Sequence, residues 1–188
     1  MDRRELLKMV ALATGGAVIG GEFFLAGCKN NDAAVGGTSF TQNDISFLDE
    51  VAETIIPKTT TVGAKEAELG KFMTVMVNDC YEEADQKIFH EGMKKLDEAC
   101  QKMHGHNFIK ADDAHRKELL SALDKEAKEY TKNKKKEDPN HYFSMIKQLT
   151  LLGYFTSKPG LEQNFNYQQV PGKYDGAVPY KKGDKLFV

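Results

Sequence analysis

From Thr41 to Phe155 apolar residues return every three or four positions, with charged residues between them. That spacing predicts helices that each bury one face. Thr41-Gln42-Asn43-Asp44 reads as a helix start, with Thr41 as N-cap and Asp44 as the third residue of a capping box. Ile45, Leu48, Val51, Ala52 and Ile55 form the first stripe, and Pro57 stops it. A second helix is expected from about Ala64 to Tyr81, on Leu69, Phe72, Met73, Met76, Val77 and Cys80. The third runs from about Asp85 to Met103 on Ile88, Phe89, Met93, Leu96, Ala99, Cys100 and Met103, closing at His104-Gly105. The fourth covers about Asp112 to Thr131 and carries Leu119, Leu120, Leu123, Ala127 and Tyr130. A lysine-rich connection, Lys132 to Pro139, leads to a fifth from about His141 to Phe155, on Tyr142, Met145, Ile146, Leu149 and Leu152. No stretch alternates long enough to predict a strand. The expected class is all-α, a small bundle of about five helices.

From about residue 156 the periodicity stops. Gly160, Pro171, Gly172, Gly176, Pro179 and Gly183 are interleaved with Phe165, Tyr167, Tyr174, Tyr180 and Phe187. Aromatic residues without periodicity predict an extended C-terminal arm. It packs either on its own domain or on a partner chain, where exposed aromatic surface would be buried.

The first 27 residues read as an export signal. Of only three arginines, two stand together in Arg3-Arg4-Glu5-Leu6-Leu7-Lys8, which resembles a twin-arginine translocation signal. A Gly- and Ala-rich apolar run follows, interrupted by Glu22 and too glycine-rich for a stable membrane span. Leu25-Ala26-Gly27-Cys28 resembles a lipobox, which would leave a lipid on Cys28 as the new N-terminus. Residues 28–40 then form a flexible tether, and 41–188 the helical domain. The expected location is the periplasm, with the lipid holding the chain to a bacterial envelope membrane after passage through the twin-arginine translocase. Because that route carries folded proteins, a small chain bearing the signal can take along a partner that has none.

Charge removes one class of function. The 188 residues carry 26 basic and 28 acidic side chains, net -2, and the basic excess of a nucleic-acid binder is missing. There is no Cys-x-x-Cys-His for haem attachment, no Glu-x-x-His pair for a di-iron centre and no Gly-x-Ser-x-Gly. His104-Gly105-His106 could supply two metal ligands, but no carboxylate or cysteine pattern accompanies it, and the bland reading is a solvated helix end. Cys80 and Cys100 lie on apolar helix faces; packing as small hydrophobes and a disulfide formed after export both remain open. No catalytic, cofactor-binding or metal-binding residues are assigned.

A set of short motifs spans about Phe40 to Pro179: Glu53-Thr54-Ile55-Ile56-Pro57-Lys58-Thr59, Val62-Gly63-Ala64, Phe108, Leu149-Thr150, Gly153-Tyr154-Phe155-Thr156-Ser157-Lys158-Pro159-Gly160, Tyr167, Val170-Pro171-Gly172 and Tyr174. With the twin-arginine leader, this series resembles the gluconate 2-dehydrogenase subunit 3 family. The resemblance implies a helical small subunit without a cofactor of its own. Its partner would be a large FAD-dependent dehydrogenase of the glucose-methanol-choline type, with a cytochrome c carrying haem as a further component. Relatives act on gluconate, glucose or the 3-hydroxyl of glucosides. The partner interface is then expected at Thr54, Pro57, Thr59 and Gly63, at Tyr154, Phe155, Ser157 and Gly160, and along Tyr167, Pro171, Gly172 and Tyr174. The alternative is a stand-alone lipid-anchored binding protein of the envelope.

Overall fold

Six α-helices follow one another in the computed structural model, which describes residues 40–170, 172–173 and 175–188. They are α1 (Gln42–Ile55), α2 (Leu69–Cys80), α3 (Glu83–His104), α4 (Asp113–Asn133), α5 (Tyr142–Thr156) and α6 (Lys158–Asn164), with a 3-10 turn at Phe108–Lys110 between α3 and α4. The described residues belong to one unit, Phe40–Val188. The export signal with Arg3, Arg4 and Cys28, the tether up to Ser39, and Pro171 and Tyr174 lie outside the described residues.

The start of α1 is the capping box expected from its sequence. Thr41 Oγ1 accepts from the Asp44 N–H at 3.3 Å, and the Thr41 N–H donates to Asp44 Oδ2 at 2.8 Å. Two amide groups that a helix leaves unpaired are thereby satisfied. The helix ends one residue before the pair Ile56-Pro57, because a residue preceding proline is driven out of the helical region.

Helix α2 corrects the expected start at Ala64. Residues 64–68 form turns, and the helix begins at Leu69. The Ala64 amide donates to Ile56 O (3.0 Å) and the Lys65 amide to Glu53 Oε2 (2.9 Å), both back toward α1. Glu68 then sits in the left-handed region at φ +54°, which breaks any helix upstream.

A second correction concerns the C-terminal segment. Residues 158–164 are a sixth helix and not the beginning of an extended arm. Ser157 caps it, and Pro159 is tolerated because the first turn has no use for that amide. The described residues among 165–188 carry no helix. They turn back so that Leu186–Val188 meets Asn166–Gln168 through a single parallel bridge at Asn166 and Phe187, the Asn166 N–H donating to Leu186 O at 2.8 Å.

Helix α5 is the hub, touching α1, α2, α3, α4 and α6. That is why seven of its positions are buried: Phe143, Met145, Ile146, Leu149, Thr150, Gly153 and Tyr154. The other helices supply Leu48, Val51, Leu69, Met73, Phe89, Leu96 and Leu119, all nearly inaccessible, to one contiguous core. Burying side chains of this size stabilises by about 1.5–3 kcal/mol each before entropy is counted. No helix among the described residues is long and apolar enough to cross a membrane.

Candidate functional site

The motif residues meet at one corner, where the α1–α2 loop lies against the junction of α5 and α6. Glu53, in the last turn of α1, organises the loop. Its two carboxylate oxygens accept from the backbone amides of Lys58 (2.8 Å) and Lys65 (2.9 Å). Gly63 is buried against that carboxylate, and a Cβ there would land on both Glu53 oxygens. The loop's far end is tied to the last two helices. Tyr154 Oη donates to Val62 O at 2.7 Å and accepts from Asn164 Nδ2 at 3.2 Å, while the Val62 amide donates to Gln163 Oε1 at 2.8 Å.

The α5–α6 junction is equally close-fitting. Ser157 Oγ donates to Tyr154 O (2.8 Å) and accepts from the Gly160 amide (3.1 Å). A side chain on Gly160 would collide with the Tyr154 carbonyl oxygen, a backbone atom that cannot step aside. The motif Gly153 to Gly160 therefore encodes a sharp helix–helix corner.

This geometry sorts the expected interface residues into two kinds. Tyr154 (2% exposed), Gly63 and Gly160 are buried, Thr54 and Ser157 are half-buried, and each fixes local shape from within. Thr54 Oγ1 donates to Glu50 O in its own helix. Pro57, Thr59, Phe155, Tyr167 and Gly172 are exposed and free to touch another molecule. The ring of Phe155 packs edge-on against Phe165, 5.7 Å between centroids. Leu151 (40% exposed) and Leu152 (44%) lie on the same helix as Phe155 (42%). These two leucines were not among the expected contacts. The signal for them was that α5 is apolar over more of its circumference than one buried face requires, as its run Leu149-Thr150-Leu151-Leu152-Gly153-Tyr154-Phe155 shows.

Behind the loop, Glu50 receives Arg116 Nη1 at 2.7 Å and pairs with Lys65. Arg116 Nε and Nη2 donate to the carbonyls of Phe108 (3.0 Å) and Ile109 (2.7 Å), so one guanidinium joins α1, α4 and the 3-10 turn. Burial works to raise the Glu50 pKa, but Lys65 and Arg116 outweigh it and hold the carboxyl below its ordinary range. Such a partly buried, shifted group is here a structural clamp. Cys80 is exposed at the end of α2, and Cys100 is buried on α3; both are free thiols. Burial pushes the Cys100 thiol up, which keeps it a packed neutral group rather than a nucleophile.

No curated protein and no solved structure matches the chain significantly. Residues 42–172, from the first residue of α1 to the glycine beyond α6, match the family described as Gluconate 2-dehydrogenase subunit 3. The match takes in the Glu53 loop, the Tyr154 corner and every helix described above, so the chain belongs to the gluconate 2-dehydrogenase subunit 3 family.

Proposed function

We propose that this chain is the non-catalytic small subunit of a periplasmic FAD-dependent dehydrogenase that oxidises a sugar or glucoside. The observation that carries the reading is the match of residues 42–172 to a family of gluconate 2-dehydrogenase subunits. FAD and the catalytic groups reside in the large partner, and a cytochrome c takes the electrons onward. The exposed strip Leu151, Leu152 and Phe155 supports a docking role. Apolar side chains gathered on one face cost free energy in water that a partner surface recovers. The stapled loop beside it holds Pro57 and Thr59 at the surface without asking the partner to order them, which lowers the cost of association.

The small subunit also supplies the address. Arg3 and Arg4 take the folded pair through the twin-arginine translocase, and lipid on Cys28 keeps it at the envelope membrane. Replacing both arginines by lysine, or Cys28 by Ser, tests this by cell fractionation. The first change leaves dehydrogenase activity in the cytoplasm and the second releases it from the membrane. Normal export of the partner with the lysine pair in place would refute the carrier role.

A further inference from the structure

Three of the chain's five histidines meet where α3 turns into α4. His104 is the last residue of α3, His106 follows Gly105, and His115 lies in the first turn of α4. Gly105 adopts φ +79°, a left-handed conformation that reverses the chain and returns His106 beside His104. Ring centroids are 4.2 Å apart for His104 and His115, 5.4 Å for His106 and His115, and 6.2 Å for His104 and His106. Asp112, the N-cap of α4, places Oδ1 3.4 Å from His115 Nδ1, too misaligned for a hydrogen bond. The His115 backbone N–H donates to the same carboxylate at 2.8 Å.

His104 Nε2, His106 Nδ1 and His115 Nδ1 are all shielded from solvent and have no hydrogen-bond partner among the described residues. One such nitrogen is a local defect; three in a single cluster, beside a carboxylate, describe a set of donors. Imidazole with one carboxylate is the ligand set that suits a borderline divalent cation such as Zn²⁺. Zinc lies about 2.0–2.1 Å from each nitrogen, and tetrahedral angles then place neighbouring ring centroids roughly 5 Å apart. The observed spacings of 4.2 to 6.2 Å straddle that value. Among the described residues no group of three His, Cys, Asp or Glu side chains is placed to hold a metal ion, and His104 stacks nearly parallel to His106 and His115, so the rings must turn to coordinate. The His115 side chain, 41% exposed, has room to turn and leaves an entry path.

We propose that His104, His106 and His115, with Asp112, bind one zinc-class divalent cation that ties the end of α3 to the start of α4. The site shares no residue with the docking face and stands or falls separately from the subunit role.

Calorimetric titration of the detergent-solubilised full chain with Zn²⁺ tests it, and binding of one equivalent is expected. The variants H104Q, H106Q and H115Q should each weaken binding by about tenfold or more. H90Q should leave it unchanged, since that ring stacks on Phe40, away from the cluster. Circular dichroism checks that each variant is folded. Should one fail to fold, Co²⁺ added to the unaltered chain should give the visible bands of an imidazole-bound ion. No stoichiometric Zn²⁺ binding by the unaltered chain, or equal binding by the H90Q and H115Q chains with no Co²⁺ bands, would overturn the proposal.

Discussion

Replacing Gly63 by alanine separates a close-contact requirement from a backbone requirement, and the structure sets both the size and the sign of the effect. Gly63 does not occupy the left-handed region, so alanine can adopt its backbone conformation. The obstacle is Glu53: the three atoms nearest a new Cβ all belong to its carboxylate. That side chain can swing away, but only by giving up its bonds from Lys58 N and Lys65 N. Both bonds are partly solvated, so about 1 kcal/mol each is a fair magnitude, roughly 2 kcal/mol together. Alanine also narrows the unfolded ensemble, which returns about 0.4–1 kcal/mol. Gly63→Ala should therefore destabilise the unaltered background by about 1–1.5 kcal/mol. In a Glu53→Ala background the obstacle is gone, and the same change should stabilise by the entropic 0.4–1 kcal/mol. The assay is urea unfolding of the four chains of this cycle, followed by circular dichroism, with the coupling taken from the midpoints. Additive effects, with Gly63→Ala costing the same in both backgrounds, would refute the idea that Glu53 organises the loop.

Other consequences are as direct. Arg116→Met should cost about 2–3 kcal/mol at neutral pH, because it strips Glu50 of a partly buried partner, leaves Ile109 O without its donor and takes one of two donors from Phe108 O. A lowered native pKa contributes stability that is present above the unfolded value and lost as pH falls through the native one. The gap between the Arg116→Met and unaltered chains should thus narrow in acid, read by unfolding midpoints from pH 7 down to pH 3; a gap that widens would reverse the sign of the Glu50 argument. Glu68→Gly should stabilise by about 0.5–1 kcal/mol, since glycine takes the left-handed conformation at φ +54° without the penalty glutamate incurs; a lower thermal midpoint would show that the Glu68 side chain does something else. Leu151→Glu with Phe155→Glu should weaken capture of the partner about tenfold or more while costing only about 1 kcal/mol of stability, chiefly the edge-on contacts of Phe155 with Tyr154 and Phe165. Unchanged capture, measured by affinity pull-down, would move the docking face elsewhere.

What could be read from the chain alone follows the range of the forces involved. The capping box at Thr41, the stop at Pro57 and the glycine close of α3 are local, each set by residues within four positions, and the structure has all three. The start of α2 was misjudged because the amides of Ala64 and Lys65 are claimed by Ile56 and Glu53, eight and twelve residues back. Helix α6 was missed because Pro159 and Gly160 look like breakers. Pro159 fits a first turn, and Gly160 is demanded by contact with Tyr154 O. Tyr154 stood in the family motif and was expected at the partner surface; burial makes it a peg for Val62 instead. His115 did not join His104 and His106 in the sequence reading, since the turn at Gly105 and the Asp112 cap, not spacing, bring it to them.

The central claim is that this chain is a subunit of a flavin-containing dehydrogenase. It is tested most directly by affinity purification of the tagged full chain from detergent-solubilised membranes, read by mass spectrometry and absorbance. A larger chain recovered in constant proportion, carrying the flavin absorption band and oxidising a sugar or glucoside, is the predicted result. Recovery of this chain alone and colourless, from membranes that retain the dehydrogenase activity in another fraction, would contradict it.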